Sequence, residues 1–300
     1  MNISHRQTSI AFAVAGAGIA TYSAMDVVMK GLALELGAYN AMLWRSMISV
    51  LLAGILFLWR RPAWPNRAVL RLHVWRGFII SIMAFLFFWG LKYLPVAEAI
   101  GLSFIAPLMA LYLAKVLLHE QIGKQAVMAS MIGLVGAVVI IAGRLGGDYT
   151  EEIGRGIAAI LVSAVLYAYN LILQRQQALV AGPAEIAFFQ NCTVITLYSC
   201  LAPFWAVVPS ATVIPALALA AGLGFVSLLM ISWAYARATA STLIPVEYSA
   251  FIWAALFGWL VFGETVTTAT LIGTVLIVIG CLIASRQKTD YVDHVETTVV

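Results

Sequence analysis

Apolar runs long enough to cross a bilayer recur from one end of this sequence to the other, and that feature removes most folds from consideration. A run of roughly 18 or more apolar residues spans about 30 Å of hydrocarbon. About ten such runs are present, at 8–29, 38–59, 77–95, 97–118, 124–143, 154–174, 184–207, 211–235, 240–262 and 268–285. Of the 300 residues, 63% are hydrophobic and only 10% charged, whereas about a quarter of a soluble domain is charged. A soluble core cannot hide that much apolar surface. The chain is expected to be an all-α membrane protein of about ten transmembrane helices. The first run follows a short basic lead, His5 and Arg6, but continues through Met29. It is too long for the apolar core of a signal peptide and is read as a retained helix.

The distribution of basic residues sets an expected orientation. With a cytoplasmic N-terminus and alternating spans, one side holds Arg6, Arg60, Arg61, Arg67, Arg71, Arg76, Lys115, Lys124, Arg175, Arg237, Arg286 and Lys288. The other side holds Lys30, Lys92, Arg144 and Arg155, while Arg45 stays within a helix. Twelve against four fits the positive-inside rule and places both termini in the cytoplasm. The basic cluster from Arg60 to Arg76 reads as a topology signal, with His73 and His119 at the same surface, and no nucleic-acid partner is expected. The tail 286–300 reads as disordered. Cys192, Cys200 and Cys281 all fall in apolar runs and read as small buried hydrophobes. "HEQIG" begins like a zinc motif, but Gly123 stands where the second histidine belongs. Without a glycine-rich phosphate loop either, no metal, cofactor or ATP drive is expected.

The sequence is also a duplication. A shift of 144 residues brings Trp89 onto Trp233, Ile100 onto Ile244, Ala110 onto Ala254, Glu120 onto Glu264 and Gly136 onto Gly280. "VLLHEQIG" and "LVFGETVT" are the same loop written twice. Five spans per copy is an odd number, so the second copy inserts upside down. Two inverted five-helix repeats, 8–143 and 154–285, are the architecture of alternating-access carriers with a site near the bilayer midplane.

The stretches "LKYLPVAEAIGLSFIAPLMALYLAKVLLHEQIG" and "YARATASTLIPVEYSAFIWAALFGWLVFGETVT" resemble the two EamA-type repeats of the drug/metabolite transporter superfamily. The resemblance covers about residues 8 to 285. It implies a ten-helix inner-membrane carrier whose cavity is lined by the first four helices of each repeat, with the fifth packed outside. The usual Glu-Pro pair of that family reads Ala106-Pro107 in the first repeat and Ala250-Phe251 in the second, and Glu247 is the candidate replacement. "MDVVMK", followed by an arginine in the second helix, is similar to members that carry S-adenosylmethionine-like or amino-acid-like solutes.

A charge deep in hydrocarbon costs about 2.5–3.5 kcal/mol on insertion scales, so such residues face the bundle interior, pair, or line a wet path. Asp26 and Lys30 sit one turn apart on one face. They read either as a self-neutralising pair near the outer membrane face, with Lys30 snorkelling outward, or as a cavity in which Asp26 holds a cationic group or takes a proton. Their counterparts are Asn170 and Gln174. Arg45, matched by Gln190, needs a carboxylate partner: Asp26, Glu98 or a solute. Glu98, in a first helical turn after Pro95, suits the helix dipole. Glu247, matched by Ser103, follows Pro245, itself matched by Gly101, so both repeats weaken a helix at the same place; Pro107 adds a second kink. Glu247 is the candidate for proton coupling. Trp89, Trp233 and Tyr248 are candidates for stacking on a flat or cationic solute. The function expected is secondary transport of a small polar or amphipathic metabolite, zwitterionic or cationic, with a proton as possible coupling ion. The alternatives are a membrane-embedded lipid-modifying enzyme and a non-transporting subunit. The sequence leaves the oligomeric state open, monomer or homodimer.

Overall fold

A computed structural model describes residues 5–60, 64–106, 108–109, 113, 124–145, 150–178, 180–235, 246 and 248–285. Pro107, Glu120, His119, Pro245, Glu247 and the tail 286–300 lie outside the described residues. Among those described, helices account for nearly all of the chain: α1 (His5–Arg60), α2 (Arg67–Gly90), α3 (Val96–Ser103), α4 (Lys124–Leu145), α5 (Glu151–Ala178), α6 (Pro183–Trp205), α7 (Ile214–Tyr235), α8 (Ser249–Phe262) and α9 (Thr268–Ser285).

The first two apolar runs form one continuous helical element that folds back on itself. Gly37 adopts φ 78° and ψ 152° inside α1, a conformation that costs an L side chain dearly and glycine nothing. Residues 25 and 45 would lie about 30 Å apart on a straight helix. Instead the Arg45 Nη1 contacts the Met25 sulfur at 3.5 Å, so α1 is two antiparallel arms, 5–36 and 38–60. Counting both arms, one described helical segment falls in each of the ten apolar runs, with runs 97–118 and 240–262 represented by Val96–Ser103 and Ser249–Phe262.

The inverted repeat is visible in how these segments pair. The first arm of α1 meets α7, where Ser227 donates to the Gly18 carbonyl at 2.8 Å, and its counterpart α5 packs on α2, the counterpart of α7. The second arm meets α6 through Phe57 stacked on Phe188, with ring centroids 4.5 Å apart. The helices α3 and α8 meet at Phe104 and Tyr248, whose rings are edge-to-face at 5.3 Å. These two residues are 144 apart in sequence, so two equivalent positions touch each other and mark the pseudo-twofold axis. Both lie where a helix is interrupted: Phe104 in the turn after α3, Tyr248 just before α8.

The fifth helices of the repeats, α4 and α9, bind each other through glycine. A Cβ built on Gly136 would lie 2.5 Å from the Gly273 carbonyl oxygen, and one on Gly273 would lie 2.5 Å from that of Gly136. Helices in lipid gain most from close backbone approach through small residues. Either oxygen belongs to backbone and cannot swing aside. Gly136→Ala or Gly273→Ala is therefore expected to destabilise the protein by about 2 kcal/mol. Gly222→Ala, where a Cβ meets nothing within 4 Å, is the control and should be neutral or slightly stabilising. Thermal unfolding in detergent reads all three. Gly101 belongs to the same class of contact: its Cβ would lie 2.5 Å from Thr274 Oγ1 on α9, so this position seats α3 against the outer pair.

Candidate functional site

The first arm of α1 delivers Asp26 to the interior, where the residue is 1% exposed. Neither carboxylate oxygen has a hydrogen-bond partner among the described residues. The second arm delivers Arg45 to the same region, beside Met25 and close against Gly224 of α7, where a Cβ would stand 3.5 Å from Nη1. Its Nε has no hydrogen-bond partner among the described residues. Arg45 is within electrostatic reach of Asp26, Tyr22 and Tyr198, yet no hydrogen bond joins it to Asp26. Tyr198, on α6, is fixed by donating its hydroxyl to the Ser81 carbonyl at 2.9 Å, while its own carbonyl accepts from Tyr39 at 2.6 Å. Gln190, also on α6, buries an amide oxygen with no partner. One carboxylate and one guanidinium, each short of hydrogen bonds, thus face the junction of α1, α6 and α7.

The expected alternative, a self-neutralising Asp26–Lys30 pair, does not form a hydrogen bond. Lys30 turns to the end of the bundle that holds the Gly37 fold. It ion-pairs with Glu264, donates to the Leu94 carbonyl at 2.6 Å and lies 5.3 Å over the Phe262 ring. The other oxygen of Glu264 accepts from the Val96 backbone N–H at 2.7 Å. Gly263 places Glu264 there: it closes α8 in the left-handed conformation, φ 67°. Lys30, Leu94 and Val96 belong to the first repeat and Glu264 to the second, so this knot ties the repeats together at one end. Glu98 stands nearby, 2% exposed, and accepts from Thr270 of α9 at 3.3 Å.

At the opposite end the structure corrects two sequence readings. Arg76 and His73 are not surface topology residues: they are 6% and 0% exposed. Arg76 donates to Asn170 Oδ1 at 2.9 Å, to Gln177 Oε1, and to Gln174 Oε1 at 3.4 Å, all on α5. Gln177 in turn meets His73 Nδ1, and His73 Nε2 lies 3.0 Å from Glu185 Oε1 on α6. The imidazole stacks on Phe189 with centroids 5.2 Å apart. The missed signal lies in "YNLILQRQQ": Asn170, Gln174 and Gln177 fall at i, i+4 and i+7, a polar stripe on one helical face. Such a stripe in a span needs a buried donor.

The remaining candidates are dispersed. Trp89 packs edge-to-face on Tyr93 at 5.1 Å. Trp233 is 37% exposed on α7. Ser103 returns its hydroxyl to the Ala99 carbonyl at 2.8 Å within its own helix. The structure gathers Asp26 and Arg45 in one region, places Asn170 with Arg76, and pairs Tyr248 with Phe104 on the pseudo-twofold axis.

Comparison with known proteins adds the context of family. Residues 8–142 and 154–286 each match the model of the EamA-like transporter family. The chain is similar to the pseudopaline exporter of Pseudomonas aeruginosa, 28% identical over 273 residues that cover 89% of this chain and 93% of that protein. It is also similar to the S-adenosylmethionine uptake transporter of Rickettsia felis, 24% identical over 271 residues, 89% of this chain and 90% of that protein. A solved crystal structure superposes with a TM-score of 0.60 at 22% identity, covering 92% of this chain and 96% of the other, and so shares the fold.

Proposed function

We propose that this chain, which belongs to the EamA-like transporter family, carries a small zwitterionic or cationic metabolite across the bacterial inner membrane, with Asp26 and Arg45 as the charged groups of its site. The observation that carries this reading is the buried Asp26 carboxylate without a hydrogen-bond partner among the described residues. Burying an ionised or polar group unsatisfied is costly, and a solute that brings an ammonium to Asp26 and a carboxylate to Arg45 repays both at once. One similar protein is named an exporter and another an uptake transporter. Both names fit a solute carrier; neither fixes direction here. Access alternates as the repeats rock about the axis marked by Phe104 and Tyr248. Glu247, next to that axis in sequence, is proposed as a second carboxylate of the path. The basic-residue bias supports cytoplasmic termini. Duplicated repeats and relatives named as transporters favour transport over the lipid-enzyme alternative.

Thermal unfolding of the purified protein across S-adenosylmethionine, methionine, a nucleoside, a quaternary amine and a dicarboxylate tests this. A binder present at 100 times its Kd stabilises by about 2.7 kcal/mol. The expected hit carries a positive charge, and Asp26→Asn weakens it at least tenfold. Because Asn keeps the shape of Asp, a loss of binding in a protein that still unfolds cooperatively separates a binding role from a folding one. A hit confined to acidic or neutral solutes, or one indifferent to Asp26→Asn, rejects the assignment.

A further inference from the structure

We propose that His73 is the point at which a proton acts on this transporter, and that protonating it trades the grip of α2 on α5 for a tighter grip on α6. The inference rests on the transporter reading above. It comes from the order of donors in the buried chain Arg76, Gln177, His73, Glu185. Arg76 can only donate, so the Gln177 oxygen faces it and the Gln177 NH₂ faces His73 Nδ1. His73 Nδ1 is therefore an acceptor, the ring is neutral, and its single proton sits on Nε2, donated to Glu185 at 3.0 Å.

A second proton has only Nδ1 to occupy. It would then meet the Gln177 NH₂ head to head. Turning the amide over offers His73 an oxygen but sets the NH₂ against the Arg76 guanidinium. Whichever way the amide lies, one bond between α2 and α5 is lost. The His73–Glu185 contact meanwhile becomes a full ion pair and strengthens. The helix α2 belongs to the first repeat, α5 and α6 to the second, so the proton changes how the repeats are held. Among the described residues, the charged groups facing His73 are Glu185 from α6 and Arg76 from its own helix. From α5 it meets neutral Gln177, and the ring it stacks on, Phe189, is apolar. Arg76 also holds Asn170, the counterpart of Asp26, so the loss is felt one bond from the proposed site's pseudo-symmetric position.

Spin labels on cysteines at Arg71 and Gln176 report the α2–α5 distance; labels at Arg71 and Ala184 report α2–α6. The full chain is used in lipid nanodiscs with Cys192, Cys200 and Cys281 replaced by serine, and distances are measured from about pH 8 to about pH 5. Acidification is expected to lengthen the first distance by about 2 Å or more and leave the second unchanged. His73→Gln should abolish the shift. Distances that ignore pH without that substitution, or a shift that survives His73→Gln, overturn the proposal. Flux of S-adenosylmethionine in liposomes separates the two readings. Exchange that persists while distances ignore pH rejects only the role of His73. Distances that follow pH in a protein for which no panel solute binds or exchanges reject the transporter reading, and with it the coupling.

Discussion

Glu264→Ala is expected to lower stability by about 3 kcal/mol, the low end of what breaking a buried ion pair costs. Lys30 would keep its charge at 5% exposure without its carboxylate partner, and the Val96 N–H would lose its acceptor. Glu264 itself is 17% exposed, which is why the low end applies. Lys30→Met should cost less, because the thioether removes the charge that would otherwise be stranded. The informative comparison is the charge-swapped double variant, Lys30→Glu with Glu264→Lys. A simple ion pair would be restored by it. Here a lysine at 264 cannot accept from Val96, and a glutamate at 30 cannot donate to Leu94. The double variant is therefore expected to recover less than half of the loss, as read by thermal midpoints of the four proteins in one detergent. Full recovery would mean that the charges alone matter and the backbone contacts do not.

Much of this architecture can be read directly from residue order. Ten apolar runs correspond to ten helical segments, and the 144-residue shift that aligns Trp89 with Trp233 also aligns Phe104 with Tyr248, which touch. The reason is physical: in lipid the backbone must satisfy itself, so apolar length alone dictates helices, and an odd number of spans dictates inversion. Partner choice was less legible. Asp26 and Lys30, one turn apart, invite a local pair, but side chains near the end of a span reach whatever loop folds over them, and Gly263 turns Glu264 back onto Lys30. Arg76 and His73 were assigned to the surface because their spans begin nearby. A polar side chain near a helix end either snorkels outward or turns inward, and only the neighbouring helix decides which. Here the stripe of Asn170, Gln174 and Gln177 on α5 turned them inward. Gly101 shows the same limit. A glycine marks close approach or weakness without saying which, and Thr274 decides.

A central site requires that Asp26 face a path that water and solute reach during the cycle. Asp26→Cys and Met29→Cys, each in a background with Cys192, Cys200 and Cys281 replaced by serine, separate a path from a packed core. Both positions are all but fully buried, at 1% and 0% exposure, and lie one turn apart on the same arm. If the repeats alternate about the central site, position 26 opens to water and position 29 stays in packing. A charged, membrane-impermeant methanethiosulfonate reagent applied to proteoliposomes is then expected to label position 26 at least ten times faster than position 29. Equal inertness at both positions would make Asp26 a structural residue and contradict the central site.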